Sequence, residues 1–269
     1  MLRLPAVAGQ FYPANPQELA NLVRRFTQQS PQKNKERVKA CLVPHAGYVY
    51  SGSVTGAVLA GIEIPRRVIV LGVRHFPRGE NAAILSYGLW RTPLKDAPID
   101  AELAGRSKDE CALLKEDALA HAQEHSLEVQ LPFLQILAPE FEFVPIALGT
   151  IRFEELQRIG EAISRVISAS KEEVLLLTTS DLNHYEDDAT TRRKDAMAIA
   201  QLEAMNPQGL YESCRTESIS MCGLGPAVAM LFALRALGAT RAETVQYATS
   251  AAVSGDYRRV VGYAGMIFD

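Results

Sequence analysis

The chain has 269 residues, of which 48% are hydrophobic and 22% charged, a globular composition with material for a large core. A net charge of -3 and a pI near 6.0 leave no electrostatic footprint for nucleic acid, and no apolar stretch is long enough to span a membrane. Four widely spaced cysteines, none in a CxxC pair, are expected to be free thiols in a reducing compartment.

The opening MLRLPAVAGQFYPANP is interrupted by Arg3 and Pro5 before a continuous apolar region forms. It does not read as a secretion signal, and a cytoplasmic protein is expected. Asn15 and Pro16 suit the cap and first turn of a helix. The stretch from Gln28 to Glu36 reads as a linker, and the basic cluster from Lys33 to Lys39 as a solvated loop. A strand is predicted over 38–43, and LVPHAGYVYSG turns away from it through small and aromatic residues. Further strands are predicted over 67–73, 141–148, 174–179, 245–252 and 260–267, each a short β-branched or aliphatic run. Between them lie helices at 126–137 (with a kink or restart at Pro132), 153–167, 187–205 and 223–237. Strands alternating with helices predict an α/β sandwich with a largely parallel sheet. The last two strands, joined near Ser254–Gly255–Asp256, predict an antiparallel hairpin and so a mixed sheet. Residues 1–269 are expected to form one domain.

Sites on open α/β sheets collect where strands end. Here the first strand runs into Pro44–His45, the 67–73 strand into Arg74–His75, and the 174–179 strand into Ser180–Asp181 and Asn183–His184. Three of the five histidines follow core strands, and imidazole is both a metal ligand and a proton carrier near neutrality. Each alone is more often a structural residue; together they converge only if those strands are neighbours. Cys222 precedes an apolar helix, where amide dipoles would favour its thiolate. The bland reading of a free cysteine is a small buried hydrophobe, and Cys41 fits that. In AHAQEHSLEVQLPF, His121 and His125 stand four apart without the HExxH pattern. Glu124 and His125 are expected at the edge of a site, and His121 in solvent.

In order along the chain, RLPAVAGQFYP, VPHAGYVYSG, GVRH, EHSLEVQLPF, TSDLNHY and MCGLGP resemble the Memo family. The resemblance implies a fold like the catalytic subunit of class III extradiol dioxygenases. It also implies a metal pocket of two histidines and a cysteine with a third histidine nearby: His45, His75 and Cys222, with His184 and Asp181 beside them. Where the family commonly has Gly-Pro-Asn/Ser-His-His, this chain has Gly72-Val73-Arg74-His75-Phe76, which would add the Arg74 cation to the pocket. Bacterial and archaeal relatives are associated with AMMECR-type and radical SAM partner proteins, so such partners are expected here.

Two histidines and a thiolate resemble the two-histidine, one-carboxylate iron site of oxygenases, but are softer and favour Fe(II), copper or zinc. The expectation is redox or oxygenase-like chemistry on a small molecule, with His184 as acid/base or fourth ligand, Asp181 orienting it, and Tyr48 offering a phenol at the rim. Extradiol ring cleavage itself is not expected, because the hard carboxylate ligand is missing. One alternative is a non-catalytic metal-sensing or peptide-binding protein. Another is a zinc hydrolase with Glu124 or Glu128 as base.

Overall fold

The computed structural model describes residues 1–28 and 35–269, so most of the linker-like Gln28–Glu36 stretch and the start of the Lys33–Lys39 cluster lie outside the described residues. Its centre is a nine-stranded mixed sheet. Ala40–Val43, Val174–Thr179, Arg67–Val73 and Glu142–Leu148 lie side by side in that order and run parallel. They are almost wholly buried, as expected of continuous aliphatic strands covered on both faces. Val260–Phe268 joins the first of these antiparallel and carries Ala242–Thr249 as its hairpin partner, with Gly255 in the left-handed region at the turn. The expected mixture of a parallel centre and an antiparallel end is what the chain forms.

Successive residues of a strand face opposite sides, and Val260–Phe268 shows both coverings. Gly262 looks onto Asp195 of the helix Asp188–Glu203, while Gly265 looks onto Val54 and Val58 of the helix Tyr48–Gly61. The helices Pro16–Gln28 and Leu131–Leu137 pack with Tyr48–Gly61, and Phe153–Ser168 packs with Leu224–Ala236 over the central strands. No helix among the described residues is long and apolar enough to cross a membrane.

Local chemistry explains the element boundaries. Asn15 Oδ1 accepts from the amides of Gln17 and Glu18, closing the first helix start. Pro132 does not kink a long helix: Glu128–Gln130 is a single 3-10 turn, and the α-helix restarts with Pro132 in its first turn, where the missing amide costs nothing. The stretch from Tyr48 onward, expected to be a turn, is a helix to Gly61. It is apolar nearly all round and its glycines admit Phe26: a Cβ at Gly52 or Gly56 would fall on that residue. A small sheet of Leu2–Arg3, Leu89–Arg91 and Asp96–Pro98 was not foreseen, because its strands are two or three residues long.

Candidate metal centre

The strands that precede His45 and His75 flank the strand that precedes Asp181, and all three are parallel, so their carboxyl ends open at one edge. There they line a pocket of about 470 Å³ with His125, His184 and Cys222. Donor atoms of His45, His75 and Cys222 all lie within 4.8 Å of one another. A second group of the same kind comprises Asp181, His184 and Cys222.

Each imidazole is oriented from behind. His45 is buried; its Nδ1 lies 3.0 Å from Thr179 Oγ1 and its Nε2 3.1 Å from Cys222 Sγ. Its backbone amide donates to Asp181 Oδ1 at 2.8 Å. Burial, reinforced by the neighbouring His75, lowers the His45 pKa to about 3, so the ring is neutral at pH 7 and has a lone pair to offer. His75 is held at both ends by Glu124: the amide donates to Oε2 at 2.6 Å, and Nδ1 stands 2.9 Å from Oε1. That leaves Nε2 as the ring atom turned to the pocket. His184 Nδ1 is 2.9 Å from the Ser220 carbonyl, an arrangement that leaves its Nε2 as an acceptor.

Glu124 is fully buried. Burial would push its pKa up, but the hydrogen bond and charge of His75, the charge of His125 and the Ser126 amide outweigh it and hold the carboxyl at about 2. His125 stacks on His75 with ring centroids 4.5 Å apart, and Phe11 covers its other side at 4.7 Å. Burial lowers the His125 pKa to about 4. His125 lines the pocket, whereas Glu124 lies behind His75 and does not reach it.

Other expectations are corrected. Tyr48 does not reach the rim: it is buried, and its hydroxyl donates to the Val129 carbonyl at 2.6 Å. Arg74 brings no charge to the pocket, because its guanidinium turns back to the Arg78 and Gly79 carbonyls and to Asn81. Asp181 does not orient His184, whose ring is held by Ser220, but serves the His45 amide instead. Burial raises the Asp181 pKa. His121 is not solvated: it is fully buried, its Nδ1 2.8 Å from the Asp117 carbonyl and its ring edge-on to Trp90. Glu128 is no free base, being locked to Arg3 at 2.6 Å and to the Tyr12 hydroxyl and two amides. Cys222 precedes the helix by two residues, yet burial and the nearby Asp181 raise its pKa against the dipole.

Thr179, Ser220, Tyr185, Val261 and Tyr263 were missed. The first two stand close to motif residues and carry hydroxyls. The last three are strand residues whose side chains read as packing until the strand is placed over the pocket.

Comparison with known proteins places relatives along the whole chain. The family model described as Memo-like protein matches residues 3–267. A MEMO1 family protein of Methanopyrus kandleri is 39% identical, covering 100% of this chain and 99% of its own length. One from Aquifex aeolicus is 40% identical, covering 99% of each chain. In fold, the chain is similar to the crystal structure of an uncharacterized protein from Escherichia coli K12. The TM-score is 0.56 at 13% identity, covering 86% of this chain and 100% of that one.

Proposed function

The chain belongs to the Memo family, and from that premise we propose that it is a metal-binding protein whose mononuclear centre, held by His45, His75 and Cys222, supports redox or oxygenase-like chemistry on a small molecule. One observation carries the proposal: donor atoms from three distant segments fall within 4.8 Å of one another. In the structure His45 Nε2 and Cys222 Sγ satisfy each other at 3.1 Å, and a bound ion would replace that single contact with a bond to each donor.

The donor set fits a soft or borderline ion. Two neutral imidazoles and one thiolate suit Fe(II) or copper, and zinc binds the same set. The raised thiol pKa does not oppose this, since a bound cation displaces that proton and binding becomes pH-dependent. Glu124 behind His75 and Thr179 behind His45 fix the rings as outer partners of a metal site do. A bound ion would supply electrons or Lewis acidity. The chain's own residues would then handle protons: Asp181, made a stronger base by burial, and His184 Nε2, both as acceptors.

The zinc-hydrolase alternative is the weaker one, because Glu124 and Glu128 are both committed, to His75 and to Arg3. Metal analysis after anaerobic purification tests the proposal. The parent should hold close to one ion per chain, and His45→Ala and Cys222→Ala should each hold far less. Equal loading of parent and variants would overturn the assignment.

A further inference from the structure

Besides the imidazoles, the pocket is lined by Val261 and Tyr263 from the last strand and by Tyr185. Two backbone bonds fix this lining to the Asp181 loop: Leu182 N–H donates to the Gly262 carbonyl at 2.8 Å, and Gly262 N–H donates to the Asn183 carbonyl at 3.0 Å. Gly262 itself faces away, onto Asp195, with no room for a side chain. The alternation of the strand then turns both of its neighbours, Val261 and Tyr263, into the cavity.

Tyr263 is 2% exposed, yet its hydroxyl has no hydrogen-bond partner among the described residues. Other buried tyrosines here behave differently: Tyr12 donates to Glu128 and Tyr48 to Val129. A buried phenol ordinarily finds a partner. The Tyr263 oxygen is also absent from the sealed, unpaired buried atoms, so it opens on the pocket it lines.

We propose that Tyr263 is a specificity-determining residue, reserving its hydroxyl as a donor for an oxyanion or carbonyl oxygen of a small planar ligand held in the pocket that Tyr185, Val261 and the His75–His125 stack line. Burial and the neighbouring Asp181 raise the phenol's pKa, so it remains a donor at neutral pH. The stacked His75–His125 pair, with Phe11 tilted against His125, gives the pocket an aromatic side, and the volume of about 470 Å³ suits one small ring system. The inference rests on reading this pocket as a ligand site, but it does not require the ion.

Tyr263→Phe removes only the oxygen. The test titrates metal-free protein with benzoate and with aniline, followed by ligand NMR shifts, and titrates metal-loaded protein with 4-nitrocatechol, followed by absorbance. Y263F should weaken benzoate and nitrocatechol binding about tenfold, the effect of losing one hydrogen bond to a charged group, and leave aniline unchanged. Unchanged affinities for both oxygen ligands, an equal loss for aniline, or parent protein that binds neither oxygen ligand would each overturn the proposal. Failure of metal uptake would end the metal reading alone, because the benzoate comparison is made without it.

Discussion

Glu124 grips His75 at two points, its two carboxylate oxygens taking the backbone amide at 2.6 Å and meeting ring Nδ1 at 2.9 Å. This fixes the ring's rotation and its tautomer together, and a ligand fixed in that way loses little entropy on binding an ion. Glu124→Gln should therefore lower metal affinity about 10- to 100-fold while leaving all three donors in place. Competition against a chelator of known strength measures it. An unchanged affinity would mean that His75 is oriented by packing on His125 instead.

Glu128 performs a structural task with similar chemistry. It is buried and satisfies Arg3, the amides of Ala6 and Val7, and Tyr12, tying the N-terminal segment to the 126–137 region. Removing one partner strands the Arg3 charge, so Glu128→Ala should cost about 3–5 kcal/mol of stability. Urea unfolding would show it. The folded fraction should still take up metal, because Glu128 is not among the three donors.

Acid should unfold the metal-free protein well before ordinary carboxylates matter. His45, His121 and His125 have folded pKa values lowered from 6.5 to about 3, 4 and 4. The unfolded chain then binds more protons, and stability falls as pH drops from about 6.5 toward 3. Glu124, lowered from 4.5 to about 2, adds a loss of the same sign below pH 4.5. Asp195, raised from 3.8 to about 6 by burial, and Asp181, also raised by burial, work the other way over their own windows but oppose three histidines and Glu124. Melting temperature should decline steadily from pH 7 to pH 4, and a flat profile there would contradict the buried neutral histidines.

Cys222 should be a slow nucleophile without metal. Burial and Asp181 raise its pKa, and the other three cysteines are buried. Iodoacetamide at pH 7 should modify it at least about tenfold more slowly than an unperturbed exposed thiol, followed by mass spectrometry. Rapid alkylation would restore the helix dipole as the controlling influence.

The sequence by itself determined the central strands and the long helices other than Tyr48–Gly61, because continuous aliphatic runs and helical periodicity report burial directly. Arg67–Val73 and Val174–Thr179 have the bounds their sequence predicts, and the strand-end positions of His45, His75 and His184 were readable from the chain. Whether those positions meet depends on strand order, and no local pattern encodes that Val174–Thr179 lies between the other two. Side-chain direction was equally out of reach. Arg74 beside His75 turns to loop carbonyls, His121 is buried against Trp90, and Tyr48 donates to Val129, since each is settled by contacts more than four residues away in sequence or by competition for them. The thiol of Cys222 was misjudged for the same reason. A helix terminus is visible in sequence, whereas desolvation belongs to the packed molecule, and here desolvation is the larger effect.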